Sequence, residues 1–199
     1  LDALCHLVSP TGMLVPYGRS RNTLFGYAAA ILALRRGAAL FQERRYAAVS
    51  ALLEARLARY QRPDGHIPCV LNDGEAEKHD WDVYVNNPDY NAYAAAMLFL
   101  AHDGSHVPAA GGRAAEKPAS EITRVGPLLI VRCDDLFAAF AAEGQSVPFG
   151  TPFFCDHRYY GMQPLWIERA GEPLLEPTPY TWRGGEDRQA LIDPAVNPW

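Results

Sequence analysis

A stretch rich in small residues, glycine and proline, residues 104–120, separates two parts of the chain whose apolar residues recur with different periods. Before it, apolar side chains recur every three or four residues, which is the period of an α-helix. After it, short apolar runs alternate with Gly and Pro, which is typical of β-strands joined by turns. The sequence therefore predicts an α+β protein with a helical part (residues 1–103), a linker (104–120) and a β-rich part (121–199).

Two helices are predicted in the first half of the helical part. An apolar segment, residues 23–36, predicts a helix that is buried on most sides and ends at Gly37, a common C-terminal signal. Residues 42–60 predict an amphipathic helix instead. Its expected buried face consists of Val49, Leu52, Leu53, Leu57 and Tyr60.

A third helix is predicted to begin at Asn87-Pro88-Asp89, where a capping residue precedes a proline at the first helical position and an acid in the first turn. Its expected apolar stripe consists of Tyr90, Tyr93, Ala94, Met97 and Ala101. The long connection before it, residues 61–84, contains a strong turn signal, Arg62-Pro63-Asp64-Gly65.

In the β-rich part, Leu128–Val131 predicts a strand, and Trp166-Ile167 followed by Ala170-Gly171 and Leu174-Leu175 predicts a hairpin. Residues 135–143 are compatible with either a helix or a strand.

Composition argues against several classes of partner. The 18 Lys and Arg residues are outnumbered by 23 Asp and Glu, so the basic excess that binds a nucleic-acid backbone is missing. No run of consecutive apolar residues approaches the roughly 18 residues of a membrane span. The four cysteines lie far apart without a C-x-x-C pair, and nucleotide-binding or serine-hydrolase motifs are missing. We therefore expect no nucleic acid, no membrane, no metal and no cofactor.

The chain starts at Leu1 without an initiator methionine, so we interpret it as part of a longer protein. The sequence leaves its compartment and its oligomeric state open.

Two motifs in the helical part combine a helix start with polar side chains. In Pro16–Thr23, a glycine turn leads into a buried helix and places Arg19 and Asn22 at its N-terminus, which suits an anion. Ordinary capping of the helix explains the same residues equally well. In Val85–Tyr93, helix capping accounts for Asn87 but not for Asn86, Asn91 and the two tyrosines beside it, and the tyrosines are equally compatible with core residues.

Three further candidates lie on predicted loops or strands. His66 follows the Asp64-Gly65 turn, and Trp81 stands between two acids in the same connection. A lone histidine after a turn is more often structural than catalytic. In Cys155–Met162, strand alternation places Arg158 and Tyr160 on one face and His157 on the other, a polar and aromatic cluster better suited to a groove than to a core.

Together, the motifs PYGRSRNT, VNNPDYNAY and DHRYYGMQP resemble those of α/α-toroid plus antiparallel β-sandwich proteins of the polysaccharide-lyase type, such as heparinase II/III-like enzymes and related families of unknown function. The resemblance implies that this chain carries the last helices of a toroid, followed by the first strands of the sandwich.

The resemblance also implies a reaction, the β-elimination of a glycosidic bond next to a uronic acid. Such enzymes neutralise the uronate carboxylate, and a base and an acid transfer the protons. The residues implied as catalytic acids or bases are His66, Tyr90, His157 and Tyr160. Those implied to bind an acidic polysaccharide or oligosaccharide are Arg19, Asn22, Trp81, Asn86, Asn87 and Arg158.

Two other functions are compatible with the sequence. Glycoside hydrolysis needs two carboxylates on opposite sides of the bond, and Asp80, Asp82 and Asp89 are available near Trp81. A carbohydrate-binding or purely structural module would need no catalytic group at all.

Overall fold

A computed structural model describes residues 1–15, 23–68, 71, 88–103, 120–143 and 163–175. The helices in these ranges are α1 (Asp2–His6), α2 (Leu24–Phe41), α3 (Arg44–Ala58) and α4 (Pro88–His102). The strands are β1 (Ser120–Val125), β2 (Leu128–Cys133), β3 (Leu136–Ala141), β4 (Gln163–Arg169) and β5 (Glu172–Leu175). We call α2, α3 and α4 the helical layer, and residues 1–15 the N-terminal segment.

Helix α2 is the centre of the helical layer and packs against both α3 and α4. Thr23 caps it, because its hydroxyl oxygen accepts a hydrogen bond of 3.1 Å from the Gly26 amide. The predicted end at Gly37 is wrong, since α2 continues to Phe41 and Gln42 takes the left-handed conformation at its C-cap. Gly37 lies inside the helix instead, where the side chains of Leu1 and Tyr46 approach it.

By length and composition alone, α2 could cross a bilayer. Several of its side chains are fully buried within the protein, including Tyr27, Ile31 and Leu34, as in the core helix of a protein without a membrane. The length and composition of α2 are therefore only weak evidence for a membrane span.

Helices α3 and α4 confirm the two remaining helix predictions, with some errors on each predicted face. In α3, Leu53 and Leu57 are buried as predicted. Leu52 is 38% exposed, because it lies at the edge of the buried face of the helix. In α4, Ala94 and Ala101 are fully buried, but Tyr93 is 60% exposed.

The five strands form one antiparallel sheet in the order β1-β2-β3-β4-β5, so each strand pairs with its neighbour in the chain. The predicted hairpin is β4 and β5, and its turn residues Ala170 and Gly171 both have positive φ, as a two-residue type I′ turn requires. Residues 136–141 form strand β3, which resolves the ambiguity between helix and strand.

The α+β prediction is confirmed. Within the described residues, however, the helices do not form a closed ring of pairs, and the strands form one sheet rather than two. The toroid and the sandwich therefore stay predictions.

The N-terminal segment lies between the helical layer and the sheet and contributes to both apolar cores. Cys5 and Val8 are buried in the helical core, whereas Met13 and Val15 are buried against the inner face of the sheet. Its residues 7–15 fold back on themselves through a bridge between Val8 and Leu14. The segment thus connects the two halves of the molecule.

Candidate functional site

Most of the side chains predicted to act on a substrate lie outside the described residues. These are Arg19, Asn22, Trp81, Asn86, Asn87, His157, Arg158 and Tyr160. Whether the three motifs meet in one cleft therefore stays a prediction.

His66 is the predicted site residue that the structure describes in full. It is exposed, at the end of a tight turn after α3. The Gly65 amide donates to the Arg62 carbonyl (2.8 Å), and the His66 amide donates to the Asp64 carboxylate (2.9 Å), which confirms the predicted turn. The imidazole is thus presented to solvent on a defined backbone.

Tyr90 lies in the first turn of α4, as predicted, although its side chain is outside the described residues. Pro88 is the first residue of this helix, in agreement with the preference of proline for that position.

The most elaborate polar cluster in the described residues surrounds a buried carboxylate, Glu168 of β4, which is 1% exposed. Its Oε2 atom accepts hydrogen bonds from the Ser9 hydroxyl (2.8 Å), the Thr11 hydroxyl (2.6 Å) and the Trp166 indole (2.9 Å). Its Oε1 atom accepts one from the Thr11 amide (3.3 Å). Two residues of the N-terminal segment thus provide three of these four hydrogen bonds.

The loop that carries Ser9 and Thr11 is fixed from the opposite side by α3. Gly12 has φ +79°, and a Cβ at this position would lie 2.2 Å from the Leu52 carbonyl oxygen. Only glycine allows so close an approach of the two backbones. The loop is therefore held between α3 and the carboxylate of the sheet.

A second charged residue of the sheet, Arg132 of β2, also binds the N-terminal segment. Its guanidinium donates to the backbone carbonyls of His6 (3.2 Å) and Val8 (2.8 Å), and it lies 4.7 Å from the centre of the Phe137 ring. Burial lowers the pKa of Arg132, although the group stays cationic at neutral pH.

His6 lies close to charges from both sides of this junction. Its Nδ1 atom is 3.8 Å from the Glu121 carboxylate of β1, and its Nε2 atom is 3.4 Å from the Arg45 guanidinium of α3. Burial and the positive charge of Arg45 lower the pKa of His6 below its ordinary range. The imidazole is therefore neutral at pH 7.

The helical layer has its own polar cluster around Glu54 of α3. Arg35 of α2 binds this carboxylate with two nitrogens (2.6 and 3.1 Å), and the Ser50 hydroxyl donates to it (3.0 Å). Burial by itself would raise the Glu54 pKa, but the hydrogen bonds from Arg35 and Ser50 outweigh it, and the pKa lies below its usual range. His102 of α4 lies 3.9 Å from the same carboxylate.

The Glu168 cluster differs from a catalytic site because its charged group is not accessible to a substrate. Glu168 is enclosed and its oxygens are used by the protein's own donors, so a substrate does not reach it. The Glu168 and Arg132 clusters hold the two halves of the molecule together. Among the described candidates, His66 is the one whose ring is open to a ligand.

Groups of three or more His, Cys, Asp or Glu side chains able to hold a metal ion are not found in the part of the chain that the structure describes. Cys5 and Cys133 are free thiols, and burial raises the pKa of Cys5. The expectation that the protein uses no metal and no cofactor stays untested.

Sequence reasoning missed the Glu168 cluster. One signal was present, because Trp166 and Glu168 alternate on β4 and so share the inner face of the sheet. A carboxylate in such an apolar strand needs donors, but nothing in the local sequence indicates that Ser9 and Thr11 provide them.

Comparison of the chain with protein-family models, with curated proteins and with solved structures finds no match. The resemblance to toroid-type polysaccharide lyases therefore depends on the sequence motifs alone.

Proposed function

We propose that the protein is carbohydrate-active and cleaves uronic-acid-containing polysaccharides by β-elimination. The observation that carries the proposal is the chain order, in which a layer of helices is followed by an antiparallel sheet, as the lyase-type motifs imply. The exposed His66 imidazole on its tight turn adds a group that can exchange a proton with a ligand.

The proposed reaction assigns separate tasks to the side chains. A base, His or Tyr, removes the C5 proton of the uronate, and the electron pair forms the C4–C5 double bond. The bond from C4 to the glycosidic oxygen breaks, and that oxygen takes a proton from an acid. Arg19, Asn22 or Asn87 would stabilise the negative charge that builds up on the uronate carboxylate.

The test follows the ultraviolet absorbance of the conjugated double bond while the protein is incubated with a panel of uronate polymers. We expect the absorbance to rise for at least one polymer. Since general acid–base groups contribute about 10²–10⁴-fold to a rate, Tyr90→Phe and His66→Gln should each lower the rate by a factor in that range.

Two variants on α4 are controls of matching residue type. Tyr93→Phe removes a hydroxyl from an exposed tyrosine one turn along α4, and His102→Gln replaces an exposed histidine with no proposed role. Both should keep full activity.

The other functions give different results in the same assay. New reducing ends without ultraviolet absorbance would indicate glycoside hydrolysis, and binding without turnover would indicate a carbohydrate-binding module. Either result, or no response to any uronate polymer, would contradict the proposal.

A further inference from the structure

The exposed side of α4 is apolar. Six residues form this side, which we call the α4 face: Ala92, Tyr93, Ala95, Ala96, Phe99 and Leu100. At 100° per residue they lie within an arc of about 160°. The buried residues Ala94 and Ala101 lie on the opposite side of the helix. The α4 face is thus a continuous surface turned away from the helical layer.

The α4 face exposes large side chains that proteins normally bury. Phe99 is 70% exposed, Tyr93 60% and Leu100 44%. The face contains no charged residue. A helix that is apolar on all sides is normally enclosed by neighbours on all sides, whereas the helical layer encloses α4 on one side.

The apolar surface extends from α4 onto α2. The Arg36 guanidinium donates to the Leu100 carbonyl (2.7 Å), which places these two residues side by side. Leu40, one helical turn beyond Arg36 on the same side of α2, is 76% exposed. The apolar surface is therefore wider than one helix.

The size of this surface matches that of a protein interface. Since large apolar and aromatic side chains each present roughly 150–250 Å², Leu40, Tyr93, Phe99 and Leu100 expose on the order of 500 Å² at the fractions above. Two such surfaces in contact would bury about 1,000 Å², the area at which specific protein interfaces begin. Patches of this size on a protein surface usually mark an interaction site.

We propose that the α4 face binds the α4 face of a second copy of this protein, which forms a two-fold symmetric dimer. In such a dimer each patch meets an identical patch, so the patch must be compatible with itself. The α4 face meets this condition, because it has no charges to repel one another, and its three alanines let two helix backbones approach closely. This inference does not depend on the proposed function.

A membrane surface fits the α4 face less well than a second copy. Helices that lie on membranes combine an apolar face with Lys and Arg on the polar face, and α4 contains neither residue. The protein's net charge of −5 also opposes binding to anionic lipids.

The experiment measures the molecular mass of the purified protein by sedimentation over a range of concentrations. We expect a dimer at micromolar concentrations. Phe99→Glu places a charge on each side of the two-fold contact, so it should weaken the dimer at least tenfold. Tyr93→Lys provides a second disruption with the opposite charge.

Ile122→Glu is the matched control, because Ile122 is as exposed as Phe99 (67%) but lies on β1 of the sheet. This variant should dimerise like the unmodified protein. Circular dichroism of each variant checks that it is folded.

Three results would overturn the proposal. In the first, the unmodified protein stays monomeric even at concentrations about 100 times higher than micromolar. In the second, Phe99→Glu and Tyr93→Lys leave the dimer intact. In the third, the protein is a monomer whose α4 face binds phosphatidylcholine or phosphatidylserine vesicles instead.

Discussion

The Arg35–Glu54 pair of the helical layer and the inner-face charges of the sheet, Glu168 and Arg132, have their partners in different parts of the chain. In the helical layer, the ion pair between Arg35 and Glu54 is half-buried at the edge of the core, and both partners belong to the layer itself. In the sheet, Glu168 and Arg132 lie on the inner face, and most of their hydrogen bonds are made with the N-terminal segment, which donates to Glu168 and accepts from Arg132. The Arg35–Glu54 pair thus lies entirely within the helical layer, whereas Glu168 and Arg132 of the sheet depend on the first fifteen residues of the chain.

This difference indicates which contacts link the stability of the helical layer to that of the sheet. A half-buried ion pair contributes little, because water can replace each partner. A carboxylate that is buried and accepts several hydrogen bonds leaves its donors unpaired when it is removed, and each unpaired donor costs about 1–3 kcal/mol. We therefore expect the junction around Glu168, rather than the ion pair of the helical layer, to hold the two halves together.

The largest effect should come from Glu168→Ala. This change leaves the Ser9 and Thr11 hydroxyls and the Trp166 indole without their acceptor, and it opens a cavity against the inner face of the sheet. We expect a loss of about 3–5 kcal/mol in the free energy of unfolding, measured with urea.

Glu54→Ala is the matched control in the helical layer. Arg35 can turn toward solvent, and only the buried Ser50 hydroxyl loses its acceptor, so we expect a loss of only about 1–2 kcal/mol. Equal losses for the two variants would remove the distinction between the two regions.

A smaller effect should appear in the pH dependence of stability, through His6 at the junction. Arg45 of α3 and Arg132 of β2 oppose protonation of His6, while Glu121 of β1 and Asp2 of α1 favour it, and burial and Arg45 prevail. The folded protein therefore binds this proton only at a lower pH than the unfolded chain, whose histidine titrates near pH 6.5. Stability should fall as the pH is lowered through 6.5 toward the folded pKa, and level off below it.

His6→Gln should flatten this part of the profile, measured by thermal unfolding between pH 5 and 8, because the carboxylates Glu54 and Glu121 titrate below that window. An unchanged slope in His6→Gln would show that His6 is not the group that titrates.

The parts of the fold that depend on neighbours in sequence were predictable. Helix α3, the start of α4 at Pro88, the turn before His66 and the hairpin at Ala170-Gly171 each follow from a local pattern. The two halves were visible because helices and strands have different periods.

Features that depend on distant contacts were not predictable. Gly37 looked like a helix end, but it lies inside α2, where Leu1 and Tyr46 approach it. Leu52 fits the apolar period of α3, and only the packing of the helix shows that it is exposed. The donors Ser9 and Thr11 lie 159 and 157 residues from Glu168 in the chain, so no local pattern connects them. The candidate site was predictable only as a set of motifs, since their assembly also depends on distant contacts.

The most direct test of the junction is a double-mutant cycle between Thr11→Val and Glu168→Gln, with the free energy of unfolding measured for both single variants and the double variant. Both substitutions keep the shape of the side chain and remove either the hydroxyl donor or the charged acceptor of the 2.6 Å hydrogen bond. If the N-terminal segment holds the sheet through this carboxylate, the two effects should couple by about 1–2 kcal/mol. Effects that simply add would contradict the account.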